Sequence, residues 1–181
     1  SLVKVSDYVF SGCTSLKDVK FTGELTTDIG EGAFSGCTSL ESISFPDSVT
    51  SIGSYCFKQT ALKTVVLPAS MTTVGYSTFR NCDTLISVSF PNSVTAIDSY
   101  AFSGCTSLTD VNFSSELITI GAYAFRYCTA LNSLIFPVGL KTIGTGAFKG
   151  CTALNNVSIF TGLKTINSNA FYGCTSLSEI T

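Results

Sequence analysis

The stretch Leu85–Ser107 reads LISVSFPNSVTAIDSYAFSGCTS, and it returns along the whole chain with few changes. Its phenylalanine recurs at positions 10, 34, 57, 79, 102, 125, 148 and 171, at spacings of 24, 23, 22, 23, 23, 23 and 23. Its leucine follows the same rhythm at 16, 40, 62, 85, 108, 131, 154 and 177. A fixed period of this length marks a stacked-repeat architecture, because one such unit cannot bury its apolar face alone. About eight units, the outer ones incomplete, fill residues 1–181 as a single domain without a linker. The chain starts and stops inside a unit, as a fragment of a longer protein would.

Each part of the unit carries a structural expectation. Leu85, Val88 and Phe90 alternate with polar residues, the period of a strand with one buried face. The same column holds Val19/Phe21, Ile43/Phe45, Val65/Leu67, Val111/Phe113, Leu134/Phe136 and Val157/Ile159. Pro46, Pro68, Pro91 and Pro137 end the strand by removing a ladder donor. A second apolar pair, such as Val94/Ile97 or Leu140/Ile143, predicts a short extended piece. The next column contains only Gly30, Gly53, Gly75, Asp98, Gly121, Gly144 and Asn167, residue types that tolerate positive φ, and predicts a left-handed turn there. The few residues before the cysteine hold one turn, 3₁₀ at most, and no full helix. Eight strands about 4.8 Å apart make a rod of roughly 40 Å.

The L-x-x-V-x-F core resembles the leucine-rich repeat signature, and I-G-x-x-A-F-x-G-C-T-S-L resembles the BspA-like subclass of bacterial and protist surface proteins. The resemblance covers the whole chain. It implies a curved leucine-rich-repeat solenoid with a parallel β-sheet on the concave face and little α-helix. It further implies an extracellular or cell-surface protein that binds a protein partner, in adhesion to a host or matrix protein. Two units depart from the pattern: Phe57–Leu62 is one residue short and has no cysteine, and an extra residue lies between Phe21 and Ile29.

Composition narrows the functions. Charged residues make up 12%, about half the usual quarter. Net charge is −2 with no run of one sign, which excludes the basic stripe of a nucleic-acid binder and a polybasic membrane signal. No apolar stretch approaches the roughly 18 residues of a transmembrane segment. The absence of histidine removes Ser-His-Asp and Cys-His catalysis and every histidine-containing zinc site. The chain reads as non-enzymatic, with no cofactor.

Cys13, Cys37, Cys82, Cys105, Cys128, Cys151 and Cys174 share one column, and Cys56 stands in the alanine column. In-register Cβ atoms would stay near 4.8 Å apart, whereas a disulfide wants roughly 3.8 Å. A straight ladder does not converge on a metal, and a catalytic thiolate wants a base beside it. The preferred reading is a ladder of buried free thiols whose weak donors meet loop carbonyls.

Binding residues are sought on the outward strand columns. Val66, Ile86 and Ile135 are apolar where the pattern predicts solvent, and with Asn112 they form the candidate partner site. Scattered exposed apolar residues are the ordinary alternative. Tyr100 and Tyr123, two residues before the phenylalanine in adjacent units, should stack and are secondary candidates, against ordinary edge packing. Lys58, Arg80, Arg126 and Lys149 form a basic row whose default is a solvated face. Residues 1–50 carry seven acids and three bases, net −4, and residues 51–181 five acids and seven bases, net +2. That asymmetry and the incomplete outer units motivate the alternative function: self-association, units stacking end to end into a fibre or surface layer.

Overall fold

The computed structural model describes residues 4–21 and 27–181. The chain winds as a parallel β-solenoid. One face is built from β2 (Asp18–Lys20), β4 (Ser42–Ser44), β6 (Thr64–Val66), β8 (Ser87–Ser89), β10 (Asp110–Asn112), β12 (Ser133–Ile135), β14 (Asn156–Ser158) and β16 (Glu179–Ile180). Eight passes of one strand position make about seven full turns. In each three-residue strand the central residue points inward and its neighbours point outward, as the alternation predicts. Pairing is parallel and in register, with Val65 opposite Val88 and Val88 opposite Val111.

A second face carries the predicted short extended pieces as two-residue strands: β1 (Lys4–Val5), β3 (Asp28–Ile29), β5 (Ser51–Ile52), β7 (Thr73–Val74), β9 (Ala96–Ile97), β11 (Thr119–Ile120), β13 (Thr142–Ile143) and β15 (Thr165–Ile166). They too pair only in parallel, so Ile97, Ile120 and Ile143 stack as neighbours.

The rest of each coil is a run of hydrogen-bonded turns, and no helix occurs among the described residues. Alternate N–H groups point in different directions there. Tyr100, Phe102 and Gly104 donate to the carbonyls of Ala122, Ala124 and Arg126 in the next coil, at 3.0, 2.7 and 2.7 Å. Ala101, Ser103 and Cys105 donate back three residues, to Asp98, Tyr100 and Phe102. This is a third ladder, and it accounts for the backbone donors that a turn would otherwise leave unpaired.

The left-handed residues are not the ones the sequence suggests. Gly30, Gly53, Gly75, Asp98, Gly121, Gly144 and Asn167 do not have positive φ. The left-handed positions lie two and six residues further on: Tyr100 and Gly104 in one coil, Tyr123 and Tyr127 in the next. The glycines other than Gly75 answer a different demand. A Cβ on Gly144 would stand 2.5 Å from the Gly121 carbonyl carbon, and one on Gly53 2.5 Å from the Glu31 nitrogen. Here adjacent coils approach through their backbones. Where the column carries Asn167, its side-chain Nδ2 donates to the Ile143 carbonyl at 3.0 Å.

The core is one continuous cluster along the rod. Its axis is the phenylalanine column. From Phe10 to Phe171 successive ring centroids are 5.2–5.5 Å apart and the planes lie within 14° of parallel. Rings in direct face-to-face contact would lie about 3.5–4.0 Å apart, so near-parallel rings at these distances are offset rather than eclipsed, as their quadrupoles prefer. Strand phenylalanines meet this column edge-on, Phe90 on Phe102 at 5.7 Å and 78°.

The first face is divided into β2–β4, β6–β8–β10 and β12–β14–β16, and the second between β5 and β7. The divisions between β4 and β6 and between β5 and β7 flank the short unit Phe57–Leu62, where the lost residue disturbs the coil spacing. Nothing in the spacing explains the division between β10 and β12. The extra residue between Phe21 and Ile29 falls largely in residues 22–26, outside the described residues.

Candidate functional site

Val66, Asn112 and Ile135 are the last residues of β6, β10 and β12, and all three point to solvent. Val66 is 73% exposed, Ile135 69% and Ile86 47%. Register places Ser89 opposite both Val66 and Asn112. Ile86, just before β8, is fixed by its N–H to the Lys63 carbonyl at 2.8 Å and by its own carbonyl, which takes the Thr109 N–H at 3.0 Å. All four residues therefore lie on one face. They do not merge into one apolar patch: Val66 and Ile135 are three coil steps apart, about 14 Å, with Ser89 and Asn112 between.

The two divisions of the face are clefts, and Val66, Asn112 and Ile135 border them, while Ile86 lines neither. Val66 lines one of about 380 Å³ with Ile43 and Phe45. Asn112 and Ile135 line another of about 330 Å³ with Asp110 and Phe113. The end nearer β2 carries charge: Lys63 pairs with Glu41 at 2.6 Å and Lys20 with Asp18 at 3.3 Å. The Ser42 hydroxyl and then Lys20 hold the Asp18 carboxyl below its usual range, and Lys63 does the same for Glu41.

The tyrosines form a second surface, on the turns. Tyr100 and Tyr123 stack at 5.1 Å and 24°, as their spacing predicts. The row continues through Tyr76 to Tyr55, with centroids 5.8 and 5.2 Å apart in edge-to-face contact. Tyr76 escapes a column search because it stands one residue early, while Ser77 takes the left-handed position. The basic row lies over these rings. The Arg80 guanidinium is 5.4 Å from the Tyr100 centroid, that of Arg126 5.6 Å from Tyr123, and the Lys58 ammonium 5.9 Å from Tyr55. This is a solvated face organised by cation–π contact. The Nε atoms of Arg80 and Arg126 are buried with no hydrogen-bond partner.

The cysteine column does what its donors predict. Cys37, Cys82, Cys105, Cys128, Cys151 and Cys174 each donate Sγ–H to the phenylalanine carbonyl of the preceding coil, at 3.0–3.3 Å. All eight cysteines are free, and all but Cys13 are buried. Exposed Cys13 departs from the expectation of a fully buried ladder, because its coil has no described neighbour on its outer side. Burial pushes the Cys82 thiol up to about 11 and holds Cys56, Cys105 and Cys128 well above their usual range. Thiols so protonated are poor nucleophiles. Among the described residues no three Cys, Asp or Glu side chains gather as metal ligands would. The surfaces offer contact area, hydrogen bonds and shallow clefts, which suit binding.

Comparison with known proteins agrees with this geometry. A model of the BspA-type leucine-rich repeat region matches in six copies, over residues 3–132 and 72–181. A leucine-rich repeat protein from Bacteroides ovatus superposes on 99% of the chain with 25% identity and a TM-score of 0.63, the match covering 64% of that protein. The Treponema pallidum (T. pallidum) leucine-rich repeat protein TpLRR matches over 97% of the chain and 72% of its own length, with 30% identity and a TM-score of 0.65. The pneumococcal vaccine antigen PcpA shares the fold alone, at 18% identity and a TM-score of 0.58, over 99% of this chain and 59% of that one. This chain thus spans somewhat less than two thirds of the Bacteroides protein. No curated protein matches the chain in sequence. The recurring L-x-x-V-x-F strand, the turn ladder and the matching repeats lead to one assignment: the chain belongs to the BspA-type leucine-rich repeat family.

Proposed function

We propose that this chain is a non-enzymatic protein-interaction module of a cell-surface or secreted protein, acting in adhesion to a host or matrix protein. Leucine-rich repeat proteins of this family are generally interaction modules. One observation carries the reading. Val66, Ile86 and Ile135 present exposed aliphatic side chains on a strand face that is otherwise polar, and charged towards β2. A regular ladder of Ser, Asn, Thr and Asp with a few aliphatic anchors at clefts is a surface on which a partner gains area without large reorganisation.

The test is binding of the purified chain to a panel of immobilised extracellular-matrix proteins, with Val66→Asp, Ile86→Asp, Asn112→Ala and Ile135→Asp as variants. Binding should fall at least about tenfold for the aspartates with the melting temperature unchanged. Binding that survives all four substitutions removes the strand face from the account. The competing reading, end-to-end stacking into a fibre, requires mass to grow with concentration in light scattering, and a monomer at every concentration rejects it.

A further inference from the structure

The turn ladder has two left-handed positions per coil, four residues apart. At the second, five coils carry glycine: Gly12, Gly36, Gly104, Gly150 and Gly173. The other three carry Gln59, Asn81 and Tyr127, with φ of 59°, 58° and 60°. Glycine occupies such a position without strain, whereas a side chain there is held against a steric cost, least for Asn. At the first position side chains are the rule, at Tyr8, Tyr55, Ser77, Tyr100, Tyr123 and Asn169, so it is the departure from glycine at the second position, and not positive φ itself, that sets these three coils apart.

All three exceptions line the same hollow, of about 590 Å³. It borders the short unit, with Ala61 in its wall beside Thr38 of one neighbouring coil and Asp83 and Thr84 of the other. The missing residue and the three side chains in glycine positions therefore converge on one place. The polar groups there are exposed and open to an incoming ligand. Among the described residues, neither the Gln59 and Asn81 carboxamides nor the Asp83 carboxylate makes a hydrogen bond or ion pair within the chain. Asn81 and Tyr127 both lie over a glycine of the next coil, Asn81 Oδ1 in the space a Cβ on Gly104 would need, and Tyr127 is fixed further. Its ring occupies the space a Cβ on Gly150 would need, and the Arg126 guanidinium lies 4.4 Å over it and donates to its hydroxyl at 3.0 Å.

We propose that this hollow binds a saccharide of one or two hexose units. Sugar hydroxyls donate and accept at once, and adjacent hydroxyls match a carboxylate and carboxamides lining one hollow. Thr38 and Thr84 add hydroxyl partners, and the Tyr127 ring gives an apolar edge for the C–H side of the sugar. The volume falls within the roughly 300–1,000 Å³ of small-molecule sites. The one lining charge is the Asp83 carboxylate, which disfavours an anionic ligand, and a neutral polyhydroxyl ligand can also accept from the carboxamide N–H groups and threonine hydroxyls, which a cation cannot. The site shares no residue with the strand face, so either can fail without the other.

The probes are the methyl glycosides of glucose, galactose, mannose and N-acetylglucosamine at millimolar concentration, read by saturation-transfer NMR. At least one should receive saturation from the unmodified chain. Asp83→Ala and Gln59→Gly should weaken that binding about tenfold or more, and Val66→Asp should leave it unchanged. Gln59→Gly is the sharper variant, because it relieves the left-handed strain and should keep or raise the melting temperature while it loses the ligand. Transfer to none of the four glycosides overturns the proposal, as does binding that persists in both hollow variants.

Discussion

The Cys82 thiol donates to the Phe57 carbonyl of the preceding coil at 3.0 Å. That carbonyl also takes the Thr60 hydroxyl of its own coil at 2.9 Å, and Thr60 Oγ1 lies 3.3 Å from the same sulfur. The hydroxyl is an added donor: Phe57 O also takes the Thr60 N–H at 3.3 Å, as in regular coils Phe102 O takes the Cys105 N–H at 3.2 Å beside the Cys128 thiol at 3.3 Å. The cysteine is therefore a clamp between coils as well as a small apolar filler.

Removing one clamp should be felt. Cys128→Ala loses a buried donor and leaves a small void, for a cost of about 1–3 kcal/mol. Cys13→Ala, at an exposed site, should stay within about 0.5 kcal/mol. Urea titration of the two variants beside the parent measures both, and equal effects would remove the clamp.

Stability should fall sharply in alkali. A thiol in the unfolded chain ionises near pH 8.5, while the folded chain holds Cys56, Cys82, Cys105 and Cys128 neutral far above that, Cys82 to about 11. The folded state then binds more protons than the unfolded one. Its stability is full below about pH 8.5 and declines as the pH rises, by about 1.4 kcal/mol per pH unit for each thiol. Melting temperatures should be level from about pH 7 to 8 and drop steeply beyond about 9. A level profile to about pH 11 would mean the thiols are not buried.

Glycine at 144 should tolerate asparagine no better than alanine. At a left-handed position asparagine is the better replacement. At a close backbone approach either Cβ collides, here 2.5 Å from the Gly121 carbonyl carbon. Both variants should lose about 1–3 kcal/mol by overpacking. Thermal melts in which both variants match the parent would contradict the close approach.

Cutting the aromatic column should cost more than any of these. Phe102 stacks on Phe79 at 5.3 Å and on Phe125 at 5.2 Å and is fully buried. Phe102→Ala should lose about 3–5 kcal/mol, read by denaturant titration.

Stacking in register explains how much of this was legible. Each column meets the same surroundings in every coil, so Phe, Leu and Cys recur wherever the core is the same. That made the strands, the phenylalanine axis and the thiol ladder readable from spacing alone. The left-handed positions were hidden because tyrosine occupies the first of them at Tyr8, Tyr55, Tyr100 and Tyr123. Tyrosine has no preference for that conformation. The hydrogen bonds to the next coil impose it, at a cost of about 1–2 kcal/mol each. Glycine misled because it serves two purposes, positive φ and close approach, and the sequence does not distinguish them. The exposure of Val66, Ile86, Asn112 and Ile135 was legible from alternation, but the clefts beside Val66, Asn112 and Ile135 follow from strand divisions that alternation does not encode.

The central structural claim is that the repeated cysteine is a buried, free, inter-coil donor. Titration with Ellman's reagent under non-reducing conditions, with the modified sites mapped by mass spectrometry, tests it most directly. The account predicts prompt reaction at Cys13, protection of the buried thiols from Cys37 to Cys151, and reaction of all eight after unfolding. Prompt reaction within that buried set, or fewer than eight thiols after unfolding, would contradict it.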